Sequence, residues 1–301
     1  LNEKNEELLA IGKKIYNLSV CTPDFPVFDH IRKALMEAAQ DPEKYHYTLR
    51  DLPELHEAVK DYYKKRFDVE ISTDEIVAVP GSQEGVAHLG LTLCNPGDVV
   101  LLPNPGYPVF EVGAYLGGAE LYFYELREEN DFLPKFDEIP EDIARRAKYI
   151  MVSYPYNPVC AVAPASFYEE LIAYAKKYNI IVVHDNAYSD IIYDGVRGGS
   201  FLEFPGAKEV GIECFSLSKS FNLTGARVSF IIGNREIIDA VKLLRSQYDF
   251  GIFEPIQRAA IAALEGPLEP VREQCARYQE RRDALCGGLR SIGWDVPDSQ
   301  G

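Results

Sequence analysis

The chain reads as an α/β protein built on a mainly parallel sheet, and three observations point there. Seven short runs rich in Val, Ile, Tyr and Phe recur along it: Ile76–Pro80, Val99–Leu102, Glu120–Tyr124, Tyr149–Ser153, Ile180–His184, Glu213–Ser216 and Ser229–Ile232. They are nearly continuous in hydrophobicity, as strands covered on both faces are. Helical patterns such as Phe167–Tyr178 and Glu236–Tyr248 fall between them, the alternation that builds parallel sheets. Finally, 301 residues can bury a large core without disulfides or metal, and predict two domains or one large α/β domain with an appendage.

The flanking segments differ from this alternation. Asp51-Leu-Pro-Glu54 predicts a helix start, with Asp51 as N-cap, proline in the first turn and a glutamate at the third position. Leu52, Leu55, Val59 and Tyr62 then follow as its buried stripe, and the chain before it reads as an irregular arm. Toward the other end, Leu268, Val271, Cys275, Tyr278, Leu285 and Leu289 mark one face of a long helix that stops at Gly287-Gly288 or shortly after. Trp294-Asp-Val296 predicts the start of another strand. The expected division is 1–48 as N-terminal arm, 49–266 as large domain, and 267–301 as linking helix and the start of a small C-terminal domain.

A net charge of −16 disfavours nucleic acid and anionic membrane as partners, so any anion must be held by a small, local set of donors. The cysteines (Cys21, Cys94, Cys160, Cys214, Cys275, Cys286) show no CxxC and no paired spacing, which predicts reduced thiols and no structural metal. No apolar run approaches the roughly 20 residues of a membrane span, and no signal peptide opens the chain. The expected location is the cytoplasm.

Six motifs could carry chemistry. Ser216-Leu-Ser-Lys219 follows an apolar strand, where a lysine is usually a solvated charge. A Ser-x-x-Lys nucleophile pair would need Ser-Asp-Asn and Lys-Thr-Gly elements, which the sequence lacks. A lysine forming a Schiff base with an aldehyde cofactor is the other functional reading. His184-Asp185-Asn-Ala-Tyr188 ends another strand. Its aspartate suits either a turn or a buried partner for a pyridine nitrogen, and His184 reads as a hydrogen-bonded core residue. Tyr154-Pro-Tyr-Asn157-Pro158 is a turn sequence. Gly81-Ser-Gln-Glu-Gly85 between strand and helix offers backbone N–H groups to a phosphate. Gly225-Ala-Arg227 offers a guanidinium, and Tyr107 in Pro105-Gly-Tyr-Pro108 a ring that is either core, loop cover or stacking platform.

In order and spacing these motifs resemble the fold-type I pyridoxal-phosphate (PLP) enzymes of the aspartate aminotransferase superfamily, class I/II, and most closely the LL-diaminopimelate aminotransferase-like group. The likeness runs from Asn17-Leu18 and Thr22-Pro-Asp-Phe-Pro26 to the helix ending near Gly288. Ser153-Tyr-Pro-Tyr-Asn-Pro158 and Phe215-Ser-Leu-Ser-Lys-Ser-Phe-Asn222 are its most specific stretches. The resemblance implies a three-layer α/β/α large domain and a ping-pong transaminase acting on an amino acid and a 2-oxo acid. It implies Lys219 as the lysine that holds the cofactor as an internal aldimine and shuttles the proton. Asp185 then meets the pyridine nitrogen, Tyr188 and Asn157 meet the phenolic oxygen, and Tyr107 stacks on the ring. Ser82, Gln83, Ser216, Ser218 and Arg227 form the phosphate cup, and Tyr47 reaches the phosphate of a partner subunit in a homodimer.

A PLP-dependent C–S lyase and a non-catalytic PLP-binding module are the alternatives on the same scaffold. The sequence departs from the family at Cys21 and Cys160, where glycines are usual, and at Leu49-Arg-Asp51, which lacks a glycine. A positive φ at the family glycine would force Cys160 into another turn or into strain. Arg281, Arg282 and Arg290 do not match the arginine that binds the substrate α-carboxylate. That arginine, and the rest of the small domain, are expected beyond residue 301, and the start at Leu1 instead of Met fits a trimmed chain.

Overall fold

The computed structural model describes residues 2–16 and 22–301. All seven apolar runs are strands: β1 (Ile76–Val79), β2 (Val99–Asn104), β3 (Glu120–Glu125), β4 (Ala147–Ser153), β5 (Ile181–Asn186), β6 (Gly211–Ser216) and β7 (Ser229–Gly233). They form one sheet in the order β1-β7-β6-β5-β4-β2-β3. Strand β7 is antiparallel to both neighbours and every other pairing is parallel.

Burial on both faces explains why the strands carry little alternation. On one face Leu55 and Val59 of helix Pro53–Phe67, Phe167 and Leu171 of helix Ala165–Tyr178, and Ala259 and Ala260 of helix Glu254–Glu265 pack into one apolar cluster. On the other, Val86 and Leu89 of helix Ser82–Leu93, Phe110 and Ala114 of helix Pro108–Leu116, and Ile238 and Val241 of helix Arg235–Tyr248 form a second. The result is a three-layer α/β/α sandwich. The turns after β1, β2, β4, β5 and β6, together with the turn that enters β7, gather at one edge of the sheet, where ligands of such folds bind.

Several local expectations need correction. The chain before Pro53 is not irregular: Asn2–Ala10 and Asp29–Ala39 are helices, and Asp29–Ala39 packs on Glu254–Glu265. Asp51 does not cap the following helix. Leu52 occupies that place, and the Asp51 carboxylate instead accepts from the Ala78 N–H (2.8 Å) and lies 3.0 Å from His56 Nε2. A long-range tie to β1 thus wins over a local cap. Leu285 is exposed, so the stripe on helix Glu269–Ser291 is shorter than the spacing suggests. Trp294–Val296 is not a strand, and Trp294 lies exposed. Asn17, Leu18 and Cys21 lie outside the described residues.

Candidate active site

A cleft of about 420 Å³ opens at that sheet edge, and it collects residues from every turn named above. Ser82 and Gln83 arrive on the first turn of helix Ser82–Leu93, Tyr107 from the turn after β2, and Asn157 from the turn after β4. Asp185 and Tyr188 come from the end of β5, Ser216, Ser218 and Lys219 from the end of β6, and Arg227 from the turn into β7. The cleft therefore unites all the predicted site residues except Tyr47. Tyr47 is 83% exposed, with its ring 5.4 Å from that of Phe250, and it does not line the cleft.

Each side chain is positioned by local sequence. Gly81 takes φ +93, and a Cβ there would sit 2.1 Å from Arg227 Nη2, so the missing side chain is what lets the guanidinium approach the helix N-terminus. Arg227 itself takes φ 53 and donates from Nη1 to the Thr224 carbonyl at 3.0 Å. Ser216 caps the short helix Leu217–Ser220: its Oγ accepts from the Ser218 N–H at 3.2 Å and from Ser229 Oγ at 3.1 Å. Lys219 rides on that helix with Nζ 5.8 Å from the centroid of the Tyr188 ring. Tyr107 Oη donates to Gln83 Oε1 at 3.4 Å, which ties the aromatic ring to the helix start.

Asp185 is the electrostatic centre of the cleft. The residue is only partly covered, yet its Oδ1 is shut off from solvent and accepts no hydrogen bond. Burial pushes the carboxyl up to about 6 from an ordinary 3.8, with His184 opposing and Glu213 adding to the rise. A buried acceptor left without a donor is costly, and it stands ready for a cationic N–H. Hydroxyls, helix N–H groups and the Arg227 guanidinium offer a cup for a dianion at the same cleft.

Arg281, Arg282 and Arg290 are all committed elsewhere. Arg281 pairs with Asp24 (2.8 Å), Arg282 with Asp194 (2.6 Å) and Arg290 with Asp298 (2.8 Å). His184 is a core residue bonded to Glu213, as its sequence setting predicts. Sequence reasoning missed Ser153 and Thr224 as cleft residues. Their positions, at the end of a strand and immediately before Gly225-Ala-Arg227, were the available signal. A second cavity of about 320 Å³ shares Thr22, Asn157, Tyr188 and Lys219 with the first, and is walled by Tyr156, Ile191, Tyr193 and Tyr278.

An α/β/α sandwich thus brings a lysine, an aspartate with an unpartnered buried oxygen and a cup of anion-binding donors together at its carboxyl edge. The family model for aminotransferase class I and II matches residues 13–301. LL-diaminopimelate aminotransferase of Dehalococcoides mccartyi is 43% identical over 298 residues, covering 98% of this chain and 77% of the relative. The same-named protein of Syntrophobacter fumaroxidans is 45% identical over 289 residues, covering 95% and 74%. Among solved structures, substrate-bound BacF of Bacillus subtilis superposes with TM-score 0.95 at 39% identity, covering all of this chain and 76% of BacF. A Thermus thermophilus aspartate aminotransferase mutant gives 0.92 at 25% identity, covering 100% and 78%. The chain belongs to the class I and II aminotransferases and is a transaminase. The family generally depends on PLP, acts on amino and oxo acids, and typically works as dimers.

Proposed function

We propose that this cleft holds pyridoxal 5′-phosphate, and that the chain moves an amino group from an amino acid to a 2-oxo acid in two ping-pong half-reactions. The observation that carries the reading is the unpartnered, buried Oδ1 of Asp185 in one cleft with Lys219. Bound there, the cofactor supplies an electron sink for the pair left at the substrate Cα when its proton leaves. Asp185 holds a proton on the ring nitrogen through Oδ1. Asn157 and Tyr188 present an amide and a phenol to the phenolic oxygen, and Tyr107 offers the ring face. Ser82, Gln83, Ser216, Ser218 and Arg227 neutralise the phosphate, which a chain of net charge −16 can do only locally. Lys219 Nζ is the attachment point and, once an amino acid displaces it, the base that moves the Cα proton.

The same reading takes the division into 1–48, 49–266 and 267–301 as the working domain scheme. It makes the enzyme a homodimer in which Tyr47 serves the partner's cleft. Exposed Tyr45, Tyr47, Leu49 and Phe250 support that, with the Tyr47 and Phe250 rings 5.4 Å apart on the surface. Cys94, Cys214, Cys275 and Cys286 stand as thiols, which supports a cytoplasmic location. No helix among the described residues is long and apolar enough to cross a membrane.

The test is a visible spectrum of the protein mixed with PLP and desalted, beside Lys219→Ala. A retained yellow band in the parent, lost or shifted in the variant, is expected. Bleaching by aspartate, alanine, aromatic amino acids or LL-diaminopimelate would then rank donors. A folded parent that retains no band overturns the reading.

A further inference from the structure

Behind the cleft, one buried carboxylate joins the two turns that carry Tyr188 and Lys219. Asp190 lies two residues past Tyr188, and its side chain is 6% exposed. Its Oδ2 accepts from Ser220 Oγ at 2.8 Å, from Tyr62 Oη at 3.3 Å and from Ser189 Oγ at 3.4 Å. Its Oδ1 accepts from Arg66 Nε at 3.1 Å, and Arg66 Nη2 is also 3.1 Å away. Ser220 is the residue after Lys219 and is itself buried. Tyr62 and Arg66 lie one turn apart on helix Pro53–Phe67, which packs on the opposite face of the sheet from helix Ser82–Leu93.

Donors thus reach this carboxylate from three separate segments. The contact between Asp190 and Ser220 joins the two turns beyond Asn186 and Phe215, where the β5–β6 ladder ends. From the far side, Gln274 of helix Glu269–Ser291 donates Nε2 to the Lys219 carbonyl at 3.2 Å and accepts from Asn222 Nδ2 at 2.7 Å. The lysine turn is therefore gripped on both flanks, and Asp190 is the grip that also fixes Tyr188.

We propose that Asp190 is a positioning residue. Through Ser220 it sets the Lys219 turn against the Tyr188 turn, and it anchors both to Tyr62 and Arg66, so that the amine meets the cofactor aldehyde in a reactive geometry. Asp190 lines neither cavity and touches no reacting atom. It acts through its neighbours, and this inference rests on the assignment of Lys219 under Proposed function. Small displacements of reacting groups are expensive, about 10²-fold in rate for about 1 Å.

The experiment mixes the apoprotein with PLP and follows two quantities separately: equilibrium affinity, and the rate of covalent capture. In capture the Lys219 amine adds to the aldehyde with loss of one water, and the bond is made permanent by borohydride. Asp190→Ala and Ser220→Ala should each slow capture at least tenfold while affinity changes less than about threefold, since the phosphate cup is intact. The double variant should be no slower than the worse single one, because the Ser220–Asp190 bond that Ser220→Ala removes is already lost in Asp190→Ala. Asp190→Asn, which keeps an acceptor for Ser220, should recover most of the rate.

Capture at the parental rate in Ser220→Ala overturns the proposal, as do additive effects in the double variant. Ser220→Ala alone decides if Asp190→Ala does not fold. A parent that never forms a reducible bond at Lys219 is a different result and overturns the cofactor assignment itself.

Discussion

Asp185 and Glu213 sit on adjacent strands, and β5–β6 pairing sets Glu213 opposite His184, the residue before Asp185. Successive residues of a strand face opposite ways, so Asp185 opens to the cleft while His184 and Glu213 point into the core behind it. The two carboxylates have opposite fates. Glu213 is fully buried and fully satisfied: it accepts from Tyr63 Oη (2.7 Å), Ser200 Oγ (2.8 Å), the Phe201 N–H (2.8 Å) and His184 Nδ1 (3.1 Å). Burial works against its charge, yet the bonds from His184, Tyr63 and Ser200 hold it below the ordinary carboxylate value. Asp185 has an oxygen with no donor, and burial holds it well above that value. The back of the sheet uses polarity to close a structure, and the front leaves polarity open for a ligand.

The largest expected effect comes from removing the open carboxylate. Asp185→Ala should slow the half-reaction with any bleaching amino acid by about 10³-fold, comparable to the loss of a well-placed acid–base or oxyanion partner. Single-turnover loss of the yellow band measures it, and a loss under tenfold would remove Asp185 from the chemistry.

Stability should move the other way. The folded state raises the carboxyl from 3.8 to about 6, so it binds more protons than the unfolded chain between those values. Stability therefore falls as pH rises through that window, and at pH 7 the apoprotein carries a penalty of up to about 3 kcal/mol. Asp185→Asn removes it. Urea denaturation should find the variant more stable than the parent at pH 7 and equal to it near pH 3.5.

Breaking the closed site should do the reverse. Glu213→Ala strands a phenol, a hydroxyl, a backbone N–H and the His184 ring in the core, at a cost of about 3–5 kcal/mol. The urea midpoint at pH 7 should drop accordingly, and cofactor affinity per folded molecule should change little. A variant of parental stability would show that the core does not depend on this carboxylate.

These contrasts also show what the sequence made legible. Strand runs with little alternation are readable because coverage on both faces demands them, and all seven were found within three residues of their ends. The cleft was readable because most of the residues that line it stand in short motifs at strand ends. Glu213 was not readable as a buried carboxylate: within Gly211–Ser216 it is one charge in an apolar run, and its four donors come from segments that only folding brings together. Asp51 failed for the same reason. Its local pattern is a helix cap, while its partner is the N–H of Ala78, 27 residues away. Asp190 went unmarked, since nothing in the sequence links it to Ser220 or Arg66.

The smallest expected effect lies at the wall of the second cavity, at Cys160, where backbone takes the place of charge. Cys160 stands where the family pattern has glycine, and it adopts φ 58, the left-handed conformation that suits glycine. Its N–H still donates to the Tyr156 carbonyl at 2.6 Å, so the turn is closed and the side chain carries the strain. A non-glycine residue there costs about 1–2 kcal/mol, and glycine gives back about 0.4–1 kcal/mol through the freedom it adds to the unfolded chain. Cys160→Gly should therefore stabilise the protein by about 0.5 kcal/mol, and Cys160→Ala, which keeps the Cβ and loses only the thiol, should not. Thermal unfolding of the three proteins side by side separates backbone from sulfur. If alanine gains as much as glycine, the thiol is the unfavourable element. If neither gains, the turn holds Cys160 without strain, and the open character of the cleft is confined to Asp185.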